Sequence, residues 1–253
     1  MNTRLFSGKV ALITGAGKGI GQATALEFAK LGANVVLNGR SKAPLEETLR
    51  QIEKGGGKAI VVVGDVADEA IQKETVNRAI SEFGRLDFAI NNAGISPWVG
   101  TTAEASVEDW NKVIDINLTG TWLGLKYQIP AIIQSGGGSI VNMTSVAALM
   151  TFEGYSPYSA SKWGIVGITR VAAKEYASKG LRVNAIAPGS IATPLFQDVI
   201  NSTPNSKEDY LKQVPMNRIA EPGEVASVVS FLCSDAASYI TGAVLPVDGG
   251  MTL

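Results

Sequence analysis

The sequence contains no histidine among its 253 residues. That absence removes Ser-His-Asp and Cys-His nucleophile schemes and every metal site built on imidazole. Acid–base work therefore falls to Tyr, Lys, Asp or Glu. Cysteine is nearly absent as well: Cys233 stands alone, so no internal disulfide can form. It adjoins the apolar run 228–232 and reads as a buried structural thiol suited to a reducing compartment. No apolar stretch reaches the roughly 18–20 residues that a membrane span needs, and residues 1–8 lack an apolar signal core. A soluble, cytoplasmic protein is expected. Excess charge is missing too: 22 Lys plus Arg against 23 Asp plus Glu leave a net charge of −1. That balance gives no electrostatic basis for a nucleic-acid or membrane partner.

What is present is a repeated alternation of short apolar runs with helical patterns. The runs 10–14, 34–37, 59–63, 86–91, 139–144, 182–187 and 243–247 are mostly continuous, as in parallel strands buried on both faces. Between them, Leu45, Leu49 and Ile52 share a helix face, with Pro44 near the start and Gly55-Gly56-Gly57 as a stop. Ser106-Val107-Glu108-Asp109 resembles a capping box. Pro222 opens a helix with Val225, Val228, Val229 and Leu232 inward. These units predict an α/β fold: a doubly wound, Rossmann-type parallel sheet with helices on both faces, in a single domain over residues 1–253. Residues 190–218, with three prolines, break the regular pattern and read as an irregular substrate-binding loop or lid.

The first strand runs into Thr14-Gly15-Ala16-Gly17-Lys18-Gly19-Ile20-Gly21 and then into a helix. Such a loop lets backbone amides approach a pyrophosphate at the helix N-terminus. Gly15, Lys18, Gly19, Ile20 and Gly21 are the candidate contacts. The second strand ends in Asn38-Gly39-Arg40-Ser41, where an NAD-selective site would carry an acid. Gly39, followed by Arg40 and Ser41, and Lys18 in the glycine loop favour a 2′-phosphate instead. NADP(H) is therefore expected over NAD(H).

Tyr158-Ser159-Ala160-Ser161-Lys162 places a phenol and an ammonium on one helix face, since four residues turn through about 40° and rise about 6 Å. A cation there is expected to lower the phenol pKa from near 10, so that Tyr158 exchanges a proton with a carbonyl or alcohol oxygen. Ser145 follows a strand at the carboxyl edge of the sheet, and its hydroxyl suits the same oxygen. Asn117 is a polar residue on an otherwise apolar helical stripe.

Together and in order, these motifs resemble the short-chain dehydrogenase/reductase family over nearly the whole chain, from Gly8-Lys9-Val10 to Val247-Asp248-Gly249-Gly250. Asn117, Ser145, Tyr158 and Lys162 match the family's catalytic set residue by residue. The resemblance implies that Asn117 supports a water-mediated proton relay to Lys162, and that Lys162 also holds the nicotinamide ribose. It implies adenine contacts at Asp65 and Val66 and ribose contacts at Asn92, Ala93 and Gly94. It implies a grip on the nicotinamide carboxamide by the segment containing Pro188, Gly189, Ile191 and Thr193, and a homotetramer with the helices through Tyr158 and Trp122 at its interfaces. The expected activity is reduction of a small ketone to a secondary alcohol, reversibly. Trp98, Ala147, Phe152, Tyr155 and Phe196 are the expected substrate pocket, uncharged and apolar or aromatic. A 3-oxoacyl-carrier-protein reductase and a non-catalytic NADP(H)-binding regulator remain the alternatives. Residues 128–138 hold none of the cations that would dock an acidic carrier protein.

Overall fold

Seven of the short apolar runs form seven parallel strands, in the spatial order β3-β2-β1-β4-β5-β6-β7. The computed structural model describes residues 5–95, 99–202 and 207–253. In chain order the elements are β1 (Val10–Thr14), α1 (Gly19–Lys30), β2 (Asn34–Gly39), α2 (Lys42–Lys54), β3 (Lys58–Val63), α3 (Glu69–Phe83), β4 (Phe88–Asn91) and α4 (Val107–Val113). A π-helical turn (Ile114–Thr119) leads into α5 (Gly120–Gln134), β5 (Gly138–Met143), α6 (Ser156–Tyr176) and β6 (Leu181–Pro188). Then come α7 (Pro194–Ser202), α8 (Lys207–Lys212), α9 (Pro222–Cys233) and β7 (Val244–Val247).

Strand periodicity explains the continuous apolar runs, because successive side chains point to opposite faces. Val10 and Leu12 join Val76, Leu125, Ile132 and Ala172, from α3, α5 and α6, in one cluster. Ala11 and Ile13 join Phe28, Leu45, Val225 and Val229, from α1, α2 and α9, in another. Both faces of the central strands are thus covered, as in a doubly wound sheet. The edge strands differ: both residues at the ends of β3 and the middle of β7 reach solvent. Pro246 sits on β7, where a strand has a partner on one side only. Ser106 caps α4 by accepting a hydrogen bond from the Asp109 amide at 3.0 Å, as its spacing predicts. Cys233 is buried, and burial pushes its thiol up to about 12.

Residues 190–218 depart from expectation. Among the described residues the segment carries two helices, α7 and α8. Two of its prolines mark helix boundaries: Pro194 is the first residue of α7, and Pro215 follows the end of α8. The segment is closed at its base by a parallel bridge between Ile191 and Ala220.

The strand expected from residue 86 begins at Phe88. The reason is Asp87, whose buried carboxylate accepts from Lys9 Nζ at 2.9 Å, from the Val10 amide at 3.0 Å and from Arg85 Nε at 2.8 Å. Burial alone pushes this carboxyl up, but Arg85, Lys9 and the Val10 amide outweigh it and hold it below the usual range. A depressed carboxylate stabilises the fold above its unfolded pKa of about 3.9, and that stabilisation is lost as pH falls through the lower folded value. Asp87→Asn is expected to cost roughly 2–3 kcal/mol at pH 7, less than a fully buried pair because Lys9 and Arg85 can rehydrate. It should also flatten the fall in stability below pH ~4. Urea unfolding across pH 2–7 measures both, and an unchanged acid limb in the variant contradicts the assignment.

Candidate active site

The site lies where β1 and β4 end side by side, the point from which the sheet order runs outward in both directions. After Thr14 the chain turns through Gly15, at φ +66, and enters α1 at Gly19, at φ +54. A Cβ on Gly15 would lie 2.8 Å from Asn92 Nδ2, and one on Gly21 would lie 2.2 Å from the Gly15 carbonyl oxygen. No side chain caps the start of α1, and no acid occupies its first turn. Its leading amides and the positive end of its dipole are therefore left to an anion.

A cavity of about 690 Å³ opens against this turn. Gly15, Lys18, Gly19 and Ile20 form one wall; Arg40 and Ser41 after β2, with Asp65 and Val66 after β3, form another. Asn92, Ala93 and Gly94 after β4 and Thr193 close it. A dinucleotide fits this cradle: a close-packed glycine turn, uncapped helix amides and a long cleft across the strand ends. Gly21 packs on Gly15, so its lack of a side chain serves helix–strand contact. Arg40 is held loosely, 3.9 Å from Asp65, and Lys18 is exposed at the rim.

A second cavity, of about 180 Å³, adjoins the first through Ile20, Asn92 and Gly94. Ser145, Tyr158 and Lys162 face it, with Pro188, Gly189, Ile191 and Thr193 after β6. Thr144 Oγ1 donates to the Lys162 carbonyl at 2.8 Å, and Lys162 Nζ donates to the Met143 carbonyl at 3.0 Å. These bonds fix α6 against the end of β5. The ammonium lies 5.4 Å from the centre of the Tyr158 ring.

The electrostatics differ from the expected lowering of the phenol by Lys162. Burial pushes the Tyr158 phenol above its ordinary value, and a hydrogen bond with Ser145 only partly offsets this. Burial likewise lowers Lys162, to about 8. In each case desolvation penalises the charged form.

Asn117 sits buried in the π-helical turn, behind the cavity. Its Oδ1 accepts from the Ile95 amide at 2.9 Å, and its Nδ2 donates to Ser161 Oγ at 3.3 Å. A Cβ on Gly94 would lie 3.3 Å from Asn117 Oδ1 and 3.8 Å from Lys162 Nζ, so the three groups meet at one point.

Ala147, Phe152, Tyr155 and Phe196 line the smaller cavity, as expected; Trp98 lies outside the described residues. Sequence reasoning missed Val199, Tyr210 and Met251 in the same wall. Tyr210 falls in the proline-broken segment 190–218, which lacks a regular apolar pattern. Met251 arrives from the chain's far end and carries no local signal. Lys112 and Asp198 also border the larger cavity. Among the described residues, no cluster of three or more Cys, Asp or Glu is placed to hold a metal ion, and no helix is long and apolar enough to cross a membrane.

Residues 15–252 match the family model described as enoyl-(acyl carrier protein) reductase. The cyclohexanol dehydrogenase of Acinetobacter sp. (strain SE19) is 43% identical over 247 residues, 98% of this chain and 96% of its own length. The 3-oxoacyl-(acyl-carrier-protein) reductase of Thermotoga maritima is 40% identical over 246 residues, 97% of this chain and 98% of its own. Among solved structures, a short-chain type dehydrogenase/reductase from Mycobacterium ulcerans superposes with a TM-score of 0.93 at 32% identity, covering 98% of this chain and 90% of its own.

The depressed pKa of Lys162 has a consequence for stability. A lysine lowered on folding favours the fold above its unfolded value of about 10.4, and this contribution is lost as pH falls towards about 8. Lys162→Met removes the titration. It should be more stable than the parent at pH 7, by up to about 3 kcal/mol at roughly 1.4 kcal/mol per unit, with the gap closing towards pH ~10.5. Thermal melts at pH 7, 9 and 10.5 test this, and a variant less stable at pH 7 contradicts it.

Proposed function

Because the chain belongs to the short-chain dehydrogenase/reductase family, we propose that it is an NADP(H)-preferring reductase of small ketones, reversible as a secondary-alcohol dehydrogenase. That it is an oxidoreductase acting on alcohol or carbonyl groups follows from the family itself. The observation that carries the finer reading is the small cavity at Ser145 and Tyr158, walled by Phe152, Tyr155, Leu195, Phe196 and Val199. Such a lining favours a compact apolar substrate with one polar end.

Within it, Ser145 and Tyr158 hold the carbonyl oxygen. Tyr158 stays protonated at neutral pH because its phenol is buried, so it donates its proton to that oxygen. When bound, the nicotinamide supplies hydride to the carbonyl carbon. Lys162, whose Nζ lies close to the Tyr158 ring, stabilises the phenolate that remains. Asn117 keeps the loop at Gly94 and Ile95 in place beside Lys162. In the alcohol-oxidising direction Tyr158 takes the proton back. Residues 190–218 act as the lid, through α7 and α8.

NADP(H) preference rests on Gly39, Arg40 and Lys18, all bordering the larger cavity with no acid at the end of β2. The carrier-protein alternative is favoured by the Thermotoga relative. Against it, residues 128–138 carry no cation, and nearby Lys126 is occupied by Glu69. A homotetramer is supported by exposed Trp122 on α5 and Trp163 and Val171 on α6, apolar surface that suits burial by another copy. A single buried thiol suits a cytoplasmic location.

Tyr158→Phe is expected to lower ketone reduction by about 10²–10⁴-fold while leaving NADPH affinity nearly unchanged; substantial turnover overturns the proton-donor role. A charge-assisted contact of about 1.5–3 kcal/mol corresponds to roughly ten- to hundred-fold in affinity. Gly39→Asp with Arg40→Ala should therefore reverse the preference for NADPH over NADH in kcat/KM. Equal use of both cofactors by the parent enzyme refutes the assignment.

A further inference from the structure

One wall of the small cavity is made by two aromatic pairs from separate parts of the chain. Phe152 and Tyr155, just before α6, have ring centres 5.9 Å apart. Phe196 on α7 and Tyr210 on α8 pack edge to face at 5.3 Å. The pairs meet through their phenols, with Tyr155 Oη and Tyr210 Oη 3.4 Å apart. All four residues line the cavity that holds Ser145 and Tyr158. Rings alone would make this wall uniformly apolar, yet it brings two hydroxyls together opposite the reacting groups.

The spacing of those hydroxyls matters. An O–H···O hydrogen bond is strongest at about 2.7–2.8 Å, so at 3.4 Å the contact is weak. Two phenols at this separation can both donate to a third oxygen set ~2.8 Å from each. Tyr155 remains a donor over the whole neutral range, because burial, then the Tyr210 hydroxyl, then Tyr158 push its phenol above the ordinary value. That Tyr158 contributes shows that the phenol pair and the reacting phenol lie within electrostatic reach of each other. A compact molecule can therefore touch both.

We propose that Tyr155 and Tyr210 form a second oxygen-binding site, so that the substrate is a ring ketone bearing another oxygen, hydroxyl or carbonyl, away from the carbon that reacts. The proposal rests on the ketone-reductase reading and refines it. The aromatic faces take the ring, Ser145 and Tyr158 take the reacting carbonyl, and the phenol pair takes the distal oxygen. The reading changes the sign of a preference. An apolar wall prefers a methyl group to a hydroxyl at the distal ring position, because an unpaired buried hydroxyl is penalised. A wall with two phenol donors prefers the hydroxyl.

The test compares 3- and 4-hydroxycyclohexanone with 3- and 4-methylcyclohexanone in NADPH-dependent reduction. The full-length enzyme and its Tyr155→Phe and Tyr210→Phe variants are used. For at least one ring position the parent enzyme should favour hydroxyl over methyl in kcat/KM, and each variant should lower that ratio about tenfold. A parent preference for methyl at both positions overturns the proposal, as does a ratio unchanged within twofold in both variants. Dissociation constants for the same four compounds, by calorimetry on the NADPH-saturated enzyme, give the same ratios without turnover. If no ketone is reduced, the reductase reading fails, and the binding ratios still decide the phenol site. If a variant melts early, the parent's own hydroxyl-to-methyl ratio decides it.

Discussion

The site depends on a tie between the ends of β1 and β4. Thr14 Oγ1 accepts from the amides of both Asn92 and Ala93 at 3.0 Å, and Asn92 Nδ2 donates back to the Thr14 carbonyl at 2.9 Å. These bonds clamp two neighbouring strands at the edge where a parallel sheet receives ligands. With Asn92 pinned there, Gly15 has no room for a side chain, and Gly21 can close on Gly15. Asn92 and Gly94 then form the partition common to both cavities. Loosening this tie would move the glycine turn and this partition together.

Beneath it lies a layer of buried polar contacts that sets the height of the helices. Asn91 and Asn142 are partners in the β4–β5 register, and their side chains bond at 2.9 Å. Asn91 also exchanges two bonds with Gln128 on α5, at 3.0 and 2.8 Å, and Asn142 donates to Thr169 on α6 at 2.9 Å. Each group finds a partner, which is the condition for a polar core to fix one arrangement. α5 and α6 are thereby held to the two strands whose ends carry Asn92 and Ser145. Lys162 is the costly member of α6: its ammonium is buried on one hydrogen bond to Met143, at the expense of stability.

The two halves of the site have different foundations. Ser145, Tyr158 and Lys162 stand on the sheet and on the longest helix, where backbone and side-chain bonds hold them from several directions. Phe196, Val199 and Tyr210 stand on short helices closed at their base by the Ile191–Ala220 bridge. Nearby Asn217 takes a left-handed conformation, at φ +49, a few residues before that bridge. On the proposed reading, chemistry would rest on the sheet and α6, and substrate choice on the short helices.

The sequence by itself determined what depends on local periodicity and residue type. Continuous apolar runs marked the strands, because covered faces need apolar side chains on both sides. The glycine turn, Ser145 and the Tyr158–Lys162 spacing were legible because each is written within a few residues of itself. Tertiary structure alone decided the rest. Tyr210 and Met251 entered the pocket from segments far from Tyr158 in the chain, with nothing local to announce them. Gly21 took a packing role because Gly15 folds back on it. The ionisation of Tyr158 turned on burial, which reversed the direction expected from its cationic neighbour. Solvation is a property of everything packed around a group, and a spacing of four residues specifies only the neighbour.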